Sequence, residues 1–422
     1  MTNETIRVEG TLMEGSDKHK VVRRGFIGGA IVAGLTMRAD ALAALPERPH
    51  EQGAVLRPYG MPSPYEKDVG RVAVKLNADT DTGLTAWDFT PLQDLHGTIT
   101  PNGLFFERNH GGVPNIDPAQ HRLLVHGMVD NSRVFTMEDL RRYPPVTVVH
   151  FLECSGNGLT EWAKPTGKTV QITHGLLSCA EWTGVKVSTL LSDLGVKSGA
   201  SWVLAEGADA ALMDRSIPLE KMMDDALLVY SQNGEALRPE QGYPLRLLLP
   251  GFEGNMNIKW LRRLKVGREP FYTREETSKY TDLMPSGEAR MFTFVMEAKS
   301  VITQPSGGMQ ILTKGERPIS GVAWSGRGAI RRVEVSTDAG KTWNAAQLVA
   351  PVQSKALTRF VYPWKWNGEE AVLQSRCYDE TGYVQPTLAE LVKVRGLASV
   401  YHLNSIQSWH VASDGMVSNV HA

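Results

Sequence analysis

Cysteine is scarce. The 422 residues hold three, Cys154, Cys179 and Cys377. A small odd number does not read as a disulfide framework. None of the three opens a C-x-x-C-H sequence, which excludes covalently attached c-type haem on this chain. Any redox chemistry must therefore hand its electrons to another protein. There is no uninterrupted apolar stretch of roughly 18 residues, so no mature membrane-spanning helix is expected. The formal net charge of -1 gives no electrostatic case for nucleic-acid binding. Internal repeats and low-complexity tracts are missing too.

What is present begins with an export pattern. Val22-Arg23-Arg24-Gly25-Phe26-Ile27 carries paired arginines, and a Gly-rich apolar run follows from Phe26 to Met37. Small residues around Ala41-Leu42-Ala43 offer a cleavage site. The run is too short to span a bilayer, so 1–43 reads as a twin-arginine signal and the destination as the periplasm. The stretch 46–64 is rich in Pro and Gly and reads as an extended mature N-terminus.

From about Arg71 to Leu283 the pattern is mixed. Val146 to Leu152, behind Pro144-Pro145, is a β-branched apolar run that predicts a buried strand. Leu245 to Leu249, closed by Pro250-Gly251, predicts another. Val187 to Leu194 and Leu219 to Leu228 have helical spacing. After about Pro285, short apolar runs alternate with turn signals: Ile319 to Trp324, Ile330 to Ser336, Thr342 to Val349 and Ala371 to Tyr378. Asp338-Ala339-Gly340-Lys341 predicts a tight hairpin turn. The expected fold is α+β: a domain of interrupted mixed sheets over 44–284, then an immunoglobulin-like β-sandwich with a C-terminal tail over 285–422.

Three groups of residues suggest chemistry. Cys154 follows the strand at 146–152 and opens a Ser-Gly-Asn loop; a thiolate there suits a redox-active transition metal. A lone cysteine is also commonly a buried small hydrophobe. Arg108, in Phe105-Phe106-Glu107-Arg108-Asn109-His110, offers a fork of donors for an oxyanion, or a surface ion pair. Arg246 and Lys259 flank the loop Pro250 to Asn255 and could hold a phosphate, or simply be solvated.

In order along the chain, Phe105 to His110, Cys154 to Asn157, Ser178 to Gly184, Ser216 to Leu219, Gly242 to Gly251 and Lys259-Trp260-Leu261 resemble the sulfite oxidase family of molybdopterin enzymes. Ala323 to Gly326, Val333 to Ser336 and Asp338 to Trp343 resemble that family's dimerisation domain. The resemblance covers roughly 95–410. It implies molybdenum–molybdopterin as cofactor, with Cys154 as the metal's thiolate ligand. It implies Phe106, Arg108, His110, Asp209, Gln241, Arg246, Asn257 and Lys259 as cofactor contacts. It also implies Tyr280 as an active-site tyrosine and Arg395 as a late arginine reaching the substrate pocket, both acting with Arg108. Cys179 and Cys377 are read as packing residues.

The chain also departs from the family. Gly158-Leu159 stands where sulfite oxidases carry two arginines. Ile172 replaces a tryptophan, and Gln241 a histidine. Sulfite is a small dianion that wants several cationic donors. The loss favours a larger or less charged sulfur group. The segments Glu153 to Gly158 and His174 to Trp182 resemble the sulfane dehydrogenase branch. That branch implies a sulfane sulfur on a carrier protein as substrate in periplasmic thiosulfate oxidation. It implies a c-type cytochrome subunit as acceptor, and a homodimer or a heterotetramer with that cytochrome. The rivals are a periplasmic sulfite:cytochrome c oxidoreductase and a non-catalytic β-sandwich scaffold.

Overall fold

The computed structural model describes residues 59–73, 84–284, 286–291, 293–398 and 401–422. The twin-arginine segment and its cleavage options lie outside the described residues. Among the described residues no helix is long and apolar enough to cross a membrane.

The first half is built on three sheets. A three-stranded sheet runs Val72–Ala73, Ala86–Phe89, Glu107–Asn109, all antiparallel. A second joins Pro145–Glu153, Leu177–Lys186 and Leu227–Gln232; Glu235–Ala236 and Arg246–Leu248 both pair with the last of these. The third orders Arg133–Phe135, Leu123–Gly127, Leu261–Gly267, Trp202–Gly207 and Asp214–Pro218. Only its Leu261–Gly267/Leu123–Gly127 pair is parallel. The helix Val187–Leu194 buries Val187, Leu190, Leu191 and Leu194 against the third sheet's core. That i, i+3, i+4, i+7 spacing is the apolar stripe the sequence displays. Gly195, at a φ of +70°, ends the helix.

Two expectations change. The helix beginning at Leu219 stops at Asp224, and Leu227–Gln232 is a strand. Asp225 leaves the helical conformation, with φ -125° and ψ 6°, and the aliphatic run after it gains flanking strands on both sides. The run 342–349 is not one strand. Asn344–Ala345 pairs with Ile330–Ser336, and Gln347–Val349 pairs with Thr358–Tyr362 in the opposite sheet.

The second half is an antiparallel sandwich. One sheet orders Lys299–Gln304, Ile319–Trp324, Thr358–Tyr362 and Gln347–Val349. The other orders Asn344–Ala345, Ile330–Ser336, Ala371–Asp379, Ser408–Val411 and Val417–Val420. Alternate residues of both meet in one core that includes Val301, Val322, Trp324, Val333, Phe360, Leu373 and Trp409. At the predicted hairpin, Ala339 and Gly340 both take positive φ, as a two-residue turn of that hand requires. Asp338 Oδ1 accepts from the Thr342 N–H at 2.9 Å. Cys377 and Cys179 are fully buried, and burial pushes the Cys179 thiol up to about 12.

The halves are tied internally, and Pro62–Ala422 forms one compact unit. Gly251 and Gly326 approach so closely that a Cβ on Gly251 would stand 2.2 Å from the Gly326 carbonyl oxygen. Neither position has room for a side chain. Lys299 of the sandwich reaches Glu153 of the first half at 3.1 Å, both fully buried.

Candidate active site

Pro145–Glu153 is a long strand whose last three residues are buried, and Cys154 follows directly. A tight turn then presents it. The Cys154 N–H donates to the Leu176 carbonyl at 3.0 Å, and the Asn157 N–H returns to the Cys154 carbonyl at 2.9 Å. The Asn157 side chain locks the turn, accepting from Leu176 N–H at 3.1 Å and donating to Glu153 at 3.0 Å. The neighbouring loop must come close here. A Cβ on Gly254 would meet the Glu153 carbonyl oxygen at 2.8 Å and the Cys154 Cα at 3.2 Å, so glycine is needed. Burial raises the Cys154 thiol pKa, and the Arg108 guanidinium is the first influence that lowers it.

Two cavities meet at Cys154. The inner one, about 730 Å³, is lined by Phe106, Arg108, His110, Asp209, Gln241, Arg246, Asn257, Lys259 and Tyr280, among others. Every expected cofactor contact therefore lies on one wall system with the thiol. The strand Glu107–Asn109 delivers Arg108 and sets it opposite Trp87; the guanidinium lies 4.4 Å over that indole ring. Arg108 also lies 3.1 Å from His110 Nδ1. Desolvation, then Arg108, Lys259, Lys279 and Arg274, push His110 down to about 3, so the imidazole is neutral and accepts from Arg108.

Gln241 donates to the Phe106 carbonyl at 2.9 Å, and its own carbonyl accepts from Arg246 at 3.0 Å. Lys259 donates to the carbonyls of Arg108 and Glu240 at 3.0 and 2.8 Å. Asn257 uses its amide to brace the loop, accepting from the Leu249 N–H at 2.6 Å. Asp209 Oδ1 accepts from the Met213 N–H at 3.1 Å.

The other cavity, about 1110 Å³, shares Arg108, His110, Cys154 and Tyr280 with the first. Trp87, Tyr280, Tyr401, Leu159, Arg274 and Lys279 are on its wall, again with Arg108 and Cys154. Tyr280 follows the short helix Arg274–Ser278. Its ring is 4.9 Å from Tyr401 and has Arg215 at 4.7 Å. Burial is the main cause that raises its pKa.

Arg395 is not brought into either cavity. It is buried at the end of the helix Leu388–Arg395, with its guanidinium 3.1 Å from Asp282 and 3.4 Å from Thr293. Sequence reasoning missed Trp87, Asn255, Glu253, Tyr401 and His402.

The donor set fits a large anionic cofactor. Arg108, Arg246 and Lys259 face Asp209 in the inner cavity. Two buried polar atoms there, Arg246 Nε and Asn255 Oδ1, have no protein partner, which suits a ligand carrying both acceptors and donors. Among the described residues, no three His, Cys, Asp or Glu side chains converge as a metal cage. A metal at Cys154 would draw its other donors from the cofactor.

The crowded cations make a testable statement about the apoprotein. Burial, then Arg246, pulls the Lys259 ammonium down to about 7, and burial brings Arg246 down to about 9. The unfolded chain keeps its lysine near 10.4. Between those values the unfolded state binds the extra proton, so stability rises with pH. From pH 7 to 9 the gain from Lys259 should be on the order of 2 kcal/mol, read as a higher urea midpoint. Lys259→Met should flatten the rise. A flat profile in the native chain would contradict the placement of Lys259 among cations.

Residues 110–274 match the oxidoreductase molybdopterin binding domain family, and 290–409 match the Mo-co oxidoreductase dimerisation domain. The mitochondrial sulfite oxidase of Mus musculus is 34% identical over 343 residues, covering 74% of this chain and 61% of the mouse protein. The sulfite oxidase of Gallus gallus is 31% identical over 341 residues, covering 74% of this chain and 72% of the chicken protein. The chain thus spans about 61% of the mouse relative's length. The crystal structure of the sulfane dehydrogenase SoxCD from Paracoccus pantotrophus superposes with a TM-score of 0.86 at 48% identity, covering 88% of this chain and 96% of that one. This chain belongs to the sulfite oxidase family of molybdopterin oxidoreductases. Its cofactor is molybdenum–molybdopterin.

Proposed function

We propose that this protein oxidises sulfane sulfur bound to a carrier protein. Electrons pass on to a c-type cytochrome subunit, and the work is done in the periplasm by a dimer joined through the sandwich domain. One observation carries the choice of substrate. Where sulfite oxidases carry arginine after the Gly-Asn pair, Gly158 has a φ of +91°, and a Cβ there would meet Leu403 at 2.8 Å. An arginine there would take a strained backbone conformation and would have to push Leu403 aside. The next residue, Leu159, lines the cavity beside Cys154 as an apolar side chain. Free sulfite loses a cationic donor, while a sulfur atom on an organic stem gains a surface. The 48% identity to a sulfane dehydrogenase supports the same choice.

The bound molybdenum centre supplies two-electron oxidation of sulfur with oxygen drawn from water. The chain's residues do the rest. Cys154 gives the metal a soft donor. Arg246 and Lys259 hold the anionic part of the cofactor, and Gln241 sets the Arg246 fork. Arg108, stacked on Trp87 and braced by neutral His110, points a fixed cation at the sulfur and stabilises negative charge as oxygen is added. Tyr280 offers its protonated hydroxyl beside Cys154. Arg395 pairs with Asp282 outside both cavities.

The test is cytochrome c reduction by the holoenzyme with a persulfide-loaded carrier protein and with free sulfite. Reduction driven by the carrier, and slow with sulfite, is expected. Fast turnover of free sulfite would overturn the choice. The periplasmic assignment has its own check. Replacing Arg23 and Arg24 with lysine should leave the protein in the cytoplasmic fraction; undiminished export would contradict it.

A further inference from the structure

Tyr401 lines the same cavity as Cys154, and an unusual segment puts it there. His402 has a φ of +59°, a left-handed conformation that strains a residue with a Cβ. Two hydrogen bonds hold it. Its N–H donates to the Ser155 carbonyl at 2.8 Å, and its Nε2 lies 2.7 Å from Glu253 Oε2. Glu253 is fully buried and also takes Arg215 at 3.3 Å. Next along, Leu403 packs with Trp162 and Leu391. His402 is thus tied at once to the Cys154–Asn157 turn and to the loop that carries Gly254. Strain retained under such bracing marks a position fixed for use.

The residue so fixed is Tyr401. A Cβ on Gly156 would stand 3.9 Å from Cys154 Sγ and 3.9 Å from Tyr401 Cε1, so thiol and ring flank the same glycine. With Tyr280 at 4.9 Å the two rings form one wall, and Leu159 lines the same cavity. Aromatic faces make favourable contacts with polarizable sulfur. They offer nothing to replace the water shed by a small dianion.

We propose that Tyr401 is a specificity-determining residue and His402 the positioning residue that sets it: their wall beside Cys154 favours sulfane sulfur on an organic stem over hydrated sulfite. The inference rests on the sulfane reading above, and names the side chains that enforce it.

The experiment compares glutathione persulfide with sulfite, using ferricyanide as electron acceptor. In Tyr401→Ala the ratio of kcat/KM for persulfide over sulfite should fall by about tenfold or more, the scale at which pocket contacts discriminate. Tyr401→Phe should keep the native ratio, since the ring rather than the hydroxyl makes the wall. His402→Ala should shift the ratio as Tyr401→Ala does. Equal loss with both substrates, or an unshifted ratio, would overturn the proposal. A second arm measures binding of the mixed disulfide of glutathione and methanethiol by calorimetry. Weaker binding in Tyr401→Ala but not in Tyr401→Phe supports the wall, and equal binding in all three proteins overturns it. A native enzyme that turns over sulfite alone overturns the sulfane reading, and the binding arm then decides on Tyr401 by itself.

Discussion

Cys154→Ser should keep its fold and lose sulfur-oxidising turnover by about a thousandfold or more; outer-shell partners of a metal typically cost 10–100-fold, and a direct ligand costs more. The fold should survive because the turn is held by main-chain groups and Asn157, not by the thiol. Cys154 N–H and carbonyl both keep their partners in the variant. Serine is nearly isosteric, but its hydroxyl is a hard donor with a pKa far above that of a thiol. The check is a steady-state assay paired with thermal melting. Lost turnover with a near-native Tm is expected, and native turnover would contradict the assignment.

The second large effect concerns stability. Lys299→Met should lower stability by about 3–5 kcal/mol, because it leaves the Glu153 carboxylate buried without its cation. Lys299 and Glu153 side chains are each 1% exposed and 3.1 Å apart. Lys299 also donates to the Asn157 carbonyl at 3.3 Å, and the Trp324 indole N–H donates to Glu153 at 2.6 Å. This knot joins the sandwich to the residue beside Cys154. The loss should appear as a Tm drop of about 5–10 °C. Glu153→Gln in the Lys299→Met background should recover much of it, because no unpaired charge remains. A single variant as stable as the native protein would show that the pair is not the tie between the two halves.

Much of this was legible in the sequence, for identifiable reasons. Val187–Leu194 carries a clean helical period, so local pattern and tertiary fate agree. The stretch from Leu219 to Leu228 fits a helix by spacing, but its second part is apolar enough to serve in a sheet. Only pairing with Leu177–Lys186 and Arg246–Leu248 decides it. The run from Thr342 to Val349 divides because its two pieces serve opposite sheets, which no local signal announces.

The site follows the same logic. The family's motifs come in a fixed order along the chain, so Phe106, Arg108, Asp209, Arg246 and Lys259 could be named together, and all five line one cavity. Gly158 departs from the family's arginine, and the backbone adds that it sits in a left-handed turn against Leu403. Arg395 shows the limit. Its reach depends on Asp282 and Thr293, about a hundred residues away in sequence. Tyr401, His402 and Glu253 were hidden for the same cause, since their contacts join segments with no shared local pattern.

The central claim is that Cys154 binds the molybdenum of the cofactor. X-ray absorption at the molybdenum edge, on native holoenzyme and on Cys154→Ser, tests it most directly. The account predicts one sulfur neighbour fewer in the variant. An unchanged sulfur shell, with molybdenum still bound, would contradict it.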